Sequence, residues 1–271
     1  MQITSAHLNE IAGGQKTAKR QDNIESIIKG LDTYGAQVGL NTPARLAQYI
    51  AQIAHESGRF IYDREVWGPT AAQKRYEGRT DLGNTQPGDG EKFRGHGPIQ
   101  ITGRANTAAF RDWCKAQGLQ PPDFEKTPEL INTDPWEGLG PIWYWTTRNL
   151  NRYADDGNLE MITRRINGGT NGLTDRIELY VRAALVLLNY KLEAGVVKRF
   201  QSEHNILADD VAGPATRLAM HEALKKLKTA PSTHLPEPNE QATNGASPLT
   251  IDDYLKLIEA SVAEIRKLRS A

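Results

Sequence analysis

Apolar residues recur at helical spacing along most of the chain. Ile24, Ile27, Ile28, Leu31 and Tyr34 share one face, and the pattern stops at Gly35. The stretch NTPARLAQYIAQIAHESG predicts a second helix, with Thr42 as N-cap, Pro43 at the first helical position and Gly58 as the stop. Its stripe of Leu46, Ile50, Ile53 and Ala54 puts Glu56 in the last turn, at the half-buried edge. Further helices are expected over residues 105–117, 135–150, 158–166 and 174–192, with INGGTNG (166–172) as an interrupting turn. Residues 78–98 are too rich in Gly, Pro, Asn and Asp for regular structure and read as a long ordered loop. The alternation in IQIT predicts a short strand, Ile99 and Ile101 on one face and Gln100 and Thr102 on the other. The expected fold class is therefore mainly α with a short β element.

The pattern changes near residue 194. Residues 1–194 form the expected main domain, and residues 195–227 read as a small unit of two short helices around a turn. Residues 228–249, with four prolines and few apolar side chains, read as a linker. Ile251, Leu255, Ile258, Val262 and Ile265 then mark an amphipathic helix over 250–271. Its balanced charge makes membrane binding the weakest of its options, behind docking on the protein's own body or pairing with a second copy.

Charge and cysteine content narrow the function classes. The 33 basic residues match 33 acidic ones, so no field of one sign argues for nucleic acid or an anionic membrane as main partner. Cys114 is the single cysteine, which rules out an internal disulfide framework and a cysteine-based zinc cluster. The opening MQITSAHLNEIAGGQK has no basic leader followed by an apolar run, and no stretch approaches a membrane span. The expectation is a protein made in the cytoplasm without a signal peptide.

The stretch AHESGRFIYDREVWG sets Glu56 and Glu65 nine residues apart. A zinc site of the protease type needs a second histidine four residues after His55, and Arg59 stands there instead. No metal and no organic cofactor are expected. Two readings stay open: surface pairing of the glutamates with Arg59 or Arg64, or an acid and base pair. A carboxylate bordering apolar neighbours at a helix end loses solvation, which favours its protonated form and suits a general acid. Nine residues span at most roughly 30 Å, so the spacing permits the pair without requiring it.

HESG with a glutamate nine residues beyond its own, then RYEGRTDLGNTQPGDGEKFRGHGPIQITGRAN, then RRINGGTNGLTDRIELY, resemble the family 19 glycoside hydrolases in their bacterial and phage lytic branch. The resemblance covers residues from about 20 to 192. It implies a lysozyme-like, two-lobed helical domain whose cleft takes a β-1,4-linked chain of N-acetylated amino sugars. It places the general acid at Glu56 and the general base at Glu65, in an inverting mechanism with the two carboxyl groups roughly 6.5–9.5 Å apart. Thr102 stands where a serine hydroxyl usually holds the water. Gln100 and Asn106 match amides that contact the sugar, and Asn167 and Arg176 match residues lining the cleft, the arginine orienting or tuning a carboxylate. His96 and Thr107 depart from an arginine and a tyrosine common in the family, which touches the substrate contacts nearby.

Plainer roles stand beside these. Gln100 and Thr102 fit the solvent face of a half-buried strand, His55 a helix-end structural role, and Trp143 and Trp145 the core. Trp67 and Tyr76 are candidates for stacking on sugar rings, and Cys114 shares a helix with Phe110 and Trp113 as a buried thiol. Residues 195–227 are similar to the latter half of a peptidoglycan-binding helical module through Phe200, Gln201, Asp209, Gly213, Pro214 and Thr216, with Asp210 where a glycine is usual. The combined expectation is an endolysin-like enzyme that hydrolyses the N-acetylmuramic acid to N-acetylglucosamine bond of peptidoglycan strands. It would reach the wall, in the periplasm, through a holin-type pore made by a partner. A chitinase and a non-catalytic wall-binding protein are the alternatives.

Overall fold

A computed structural model describes residues 2–227; the expected linker (228–249) and C-terminal helix (250–271) lie outside the described residues. In chain order the described helices are α1 (Ser5–Ala12), α2 (Ala18–Gly30), α3 (Pro43–Glu56), α4 (Ala71–Lys74), α5 (Asp89–Lys92), α6 (Arg104–Ala116), α7 (Trp136–Thr147), α8 (Asn151–Asp155), α9 (Leu159–Asn167), α10 (Leu173–Leu187), α11 (Val196–Glu203) and α12 (Pro214–Lys226). No helix among the described residues is long and apolar enough to cross a membrane.

The core is built around α3. Thr42 caps it by accepting from the Arg45 N–H at 3.3 Å, with Pro43 behind the cap. Every residue from Pro43 to Ala54 except Arg45 is buried, which marks a helix surrounded on all sides rather than one with a single inner face. Its partner is α10, and both helices carry buried alanines, Ala47, Ala51 and Ala54 on one and Ala183 and Ala184 on the other, whose small side chains allow a close approach. Trp143 and Trp145 lie in the core, and Cys114 is fully buried, its thiol pushed up to about 12 by desolvation.

The expected strand at Ile99–Thr102 does not form. Residues 97–100 make a turn closed by the Gln100 N–H to Gly97 O at 3.0 Å, with Gln100 in the left-handed region at φ 58°. Only isolated bridges, Arg64 to His96 and His96 to Ile101, remain of the β element among the described residues. The alternation persisted because Ile99 and Ile101 point into the core; with no ladder to extend, the backbone folds onto itself.

Residues 195–227 share this core. Phe200, Met220 and Leu224 are fully buried, α12 lies against α3 and α10, and His221 Nε2 bonds Asp155 O at 2.9 Å. The motif residues tie the turn between α11 and α12. Gln201 Nε2 donates to Asp209 Oδ1, Val211 O and Thr216 Oγ1 at 2.8–3.0 Å, and Gln201 Oε1 accepts from the Asp210 N–H at 2.9 Å.

Helices α2 and α7 meet backbone to backbone, since a Cβ on Gly138 would lie 1.9 Å from Ser26 O. Beside this crossing Glu137 is 4% exposed, its Oε1 has no partner, and Ser26 Oγ lies 3.5 Å from its Oε2. Desolvation pushes its carboxyl up to about 7; Lys19 opposes that shift, while Asp63 and Asp134 add to it. The protonated form is the one the fold prefers, so its stabilisation is full below the unfolded value of 4.5 and disappears as pH rises through about 7. Glu137→Gln is expected to unfold like the parent near pH 5 and to be more stable at pH 8, by on the order of 2–3 kcal/mol. Denaturant melts at the two pH values check this, and an equal gap at both would refute it.

Candidate active site

The chain reverses just after α3. Gly58, Arg59 and Phe60 take φ of 58°, 62° and 67°, three left-handed residues in succession, two of them with a Cβ. Phe60 is fully buried, Asn23 Nδ2 donates to Phe60 O and Ile61 O at 3.0 and 3.2 Å, and Ser57 Oγ accepts from the Phe60 N–H at 2.9 Å. This pinned turn separates Glu56 from the loop that carries Glu65.

Glu56 ends α3 with 19% of its side chain exposed and meets Arg176 of α10, Nη2 to Oε1 at 2.5 Å. Arg176 is buried, and its Nη1 donates to Gln52 Oε1, one turn back from Glu56 on the same face of α3. One fork thus fixes two side chains of α3. The surface-pairing reading fails here: Arg59 pairs with Asp175 and Glu178, and Arg64 with Asp63. His55 Nδ1 also meets Asp175, at 2.6 Å, and Gly172 must be glycine beside it, because a Cβ there would lie 2.4 Å from the imidazole.

Glu65 is held differently. Its Oε1 accepts from Gln73 Nε2 at 3.0 Å and Tyr76 OH at 3.3 Å, its Oε2 from the Gly95 N–H at 3.0 Å, and its own N–H donates to Gly95 O at 2.8 Å. All three donors to the carboxylate are neutral. The Tyr76 hydroxyl is thereby engaged with Glu65, while its ring lies 6.4 Å from that of Trp67, tilted by 38°.

The turn after Gly95 brings the next candidates to the Glu65 side. A Cβ on Gly95 would lie 2.4 Å from Gln100 Oε1, so the glycine makes room for that amide. Gln100 Nε2 donates to Gly97 O, Thr102 Oγ1 to Gln100 O and Asn106 Nδ2 to Thr102 O, at 2.8–3.0 Å. Asn167 stands apart in its own turn, bonded to Asn171 O and the Gly169 N–H. His96 and Thr107, the departures from the family pattern, are both buried. His96 accepts at Nδ1 from Asn132 and donates from Nε2 to Lys92 O, roles assigned from the partners, and burial lowers its pKa.

Three residues escaped the sequence reading. Gln52 was legible as the position four before Glu56. Gln73 was legible in the Thr70-x-x-Gln73 capping box, where it accepts from the Thr70 N–H at 2.7 Å while donating to Glu65. Tyr144 carried no local signal: its hydroxyl donates to Ile166 O at 3.0 Å, and its phenol is raised first by burial, with Arg148 opposing and Glu56 adding. Among the described residues no group of three or more His, Cys, Asp or Glu is disposed to hold a metal ion.

No family model matches the sequence. A glycosyl hydrolase family 19 domain-containing protein of Haemophilus influenzae is 32% identical over 195 residues, which cover 61% of this chain and 91% of that protein. An endochitinase of Arabidopsis thaliana is 31% identical over 171 residues, covering 62% of this chain but 56% of the plant protein. Among solved structures, chitinase C from Streptomyces griseus superposes with a TM-score of 0.52 at 22% identity, over 70% of this chain and 78% of its own. A bacterial family 19 chitinase gives 0.51 at 21% identity, over 72% of this chain and 99% of its own.

Arg176→Met would leave Glu56 and Gln52 facing an apolar stem and is expected to cost about 3 kcal/mol in denaturant unfolding. Arg176→Lys should recover part of that, since one ammonium lacks the fork. Unchanged stability in the methionine variant would show that the pair does not hold α3 and α10 together.

Proposed function

This chain belongs to glycoside hydrolase family 19, and we propose that it cuts the β-1,4 bond between N-acetylmuramic acid and N-acetylglucosamine in peptidoglycan. That it is a chitinase-like glycoside hydrolase follows from the family; the polymer and the residue roles are the proposal.

The observation that supports two distinct roles is the unlike setting of the two carboxylates, and which of them takes which role is carried over from the family resemblance. Glu56 borders the core and is locked by a buried cation, whereas Glu65 is held by neutral donors on a loop. Separate environments suit separate tasks. In this reading Glu56 protonates the glycosidic oxygen and Glu65 takes a proton from the attacking water on the opposite face, with inversion at the anomeric carbon. The Thr102 hydroxyl proton is engaged by Gln100 O, so its lone pairs remain to accept from that water. Gln100 and Asn106 each have an amide N–H engaged with backbone and an amide oxygen left to accept from sugar N–H and O–H groups. Asn167, Trp67 and Tyr76 complete the proposed sugar contacts.

The choice of peptidoglycan is supported by the similarity of residues 195–227 to part of a wall-binding module, whose matching residues Gln201, Asp209 and Thr216 are joined by hydrogen bonds. Chitin is the second reading, favoured by the endochitinase and chitinase names of the relatives.

Purified peptidoglycan and chitin oligomers, digested with wild type, Glu56→Gln and Glu65→Gln, decide the matter once products are reduced and their ends read by mass spectrometry. Reduced muramic acid ends from the wild type, with both variants slower by about 10²-fold or more, are expected. Cleavage of chitin oligomers alone would transfer the assignment to a chitinase, and full activity in either variant would remove that residue from its role.

A further inference from the structure

Beyond the two carboxylates the molecule carries a concentrated positive patch where the end of α7 meets α8 and α9. The guanidinium of Arg148 lies 3.4 Å over the Tyr144 ring and 5.6 Å from that of Trp143. Arg152 and Arg165 approach the Tyr153 ring at 4.5 and 5.8 Å, and both donate to its hydroxyl, at 2.7 and 3.2 Å. These two cations pull the Tyr153 phenol below its ordinary value, the Arg165 hydrogen bond most of all. Among the described residues none of the three arginines has a carboxylate partner. The acids beside them are engaged elsewhere, Asp155 with Arg45 and Glu160 with Arg164.

The patch is continuous with the site. The Tyr144 hydroxyl bonds Ile166 O, one residue before Asn167, and its phenol senses the charges of Glu56 and Arg176. Arg148 Nη1 also reaches Thr147 Oγ1 at 3.3 Å, and Arg152 and Arg165 each spend one N–H on the Tyr153 hydroxyl; a guanidinium has five N–H donors, so each arginine is held in place and keeps N–H groups for a carboxylate. Like charges gathered at a surface repel, although each of the three sits at a helix C-terminal end, Arg148 at the C-cap of α7 and Arg152 and Arg165 in the last turns of α8 and α9, where the dipole favours a cation. Helix-end positions alone do not bring three arginines from three elements onto the Tyr144 ring and the Tyr153 hydroxyl. Their spread suits a ligand with repeated acid groups rather than one small anion.

We propose that Arg148, Arg152 and Arg165 form a carboxylate-binding row that holds the acidic side branches of the wall glycan beside Glu56. The assignment rests on the peptidoglycan reading, because chitin has no carboxylates. Two sources share the chemistry: the free carboxylates of the stem peptides, and the lactyl carboxylate of those muramic acid residues that carry no peptide, since attachment of a peptide turns that carboxyl into an amide.

The test is sedimentation of full-length Glu56→Gln protein with purified sacculi, in the parent and in versions with all three arginines changed to Gln or to Lys, thermal melts confirming that each is folded. The Gln version is expected to bind about tenfold or more weakly, and the Lys version to recover only part of that loss, since an ammonium keeps the charge but lacks the fork. Sacculi stripped of peptides by an amidase, which also frees the lactyl carboxyl at each cut, separate the sources: binding that is lost assigns the stem peptides, and binding that rises through the arginines assigns the lactyl carboxylate. Equal affinity of the Gln version and its parent for intact sacculi overturns the row. Reducing-end release by the wild type reports on hydrolysis separately. Sacculi held through the arginines but left uncut would keep the row and remove the muramidase reading.

Discussion

Between the two glutamates the chain has only a few residues in which to leave the most buried helix of the molecule and reach the loop beside Gly95. It does so through a left-handed reversal at Gly58, Arg59 and Phe60. Glycine accepts this conformation freely, but Arg59 and Phe60 do not, at a cost of about 1–2 kcal/mol each. Burial of the Phe60 ring, the Asn23 amide on two carbonyls and the Ser57 hydroxyl offset that cost. The side chain of Arg59, thrown outward by the same turn, crosses to Asp175 and Glu178 on α10. The reversal therefore sets both the direction of the Glu65 loop and the seat of α10, whose Arg176 meets Glu56.

The site is assembled from buried polar groups that do two things at once. Arg176 joins Gln52 and Glu56, Gln73 caps α4 and holds Glu65, and Asn132 supports both His96 and the Gly97 N–H. Such networks fix orientation because an orphaned buried donor costs about 1–3 kcal/mol, so alternative rotamers are excluded. The two glutamates thereby acquire different partners, one charged and one set neutral, and differ in chemistry although they are the same residue type. His96 belongs to this network through Asn132, and Thr107 is buried outside it, its hydroxyl without a partner.

The arginine row lies at the outer end of the same framework. Tyr144 and Tyr153 anchor it on the last turn of α9, through Ile166 O and Arg165 respectively. With the proposed roles, catalytic carboxylates, sugar-facing amides and a cationic rim follow one another from α3 to α9. On the proposed reading, glycan and acidic branches are received by adjacent parts of one surface.

The sequence by itself determined the helical class, the span and N-cap of α3, the end at Gly35 of the helical run that continues α2 as a π-helical turn over Leu31–Gly35, and the place of Glu56 at the edge of an apolar stripe. Helical spacing and capping are local effects, and apolar residues recurring every three to four positions leave few other ways to bury them. The motif blocks marked Glu65, Gln100, Thr102, Asn106, Asn167 and Arg176 in advance. What holds Glu56 and Glu65 was decided only by tertiary structure, because Arg176 lies 120 residues from Glu56 and Gly95 lies 30 from Glu65. The same holds for IQIT, whose alternation recorded burial truly but not pairing: a strand needs a neighbour to complete its hydrogen bonds, and whether one is there is not a property of the segment.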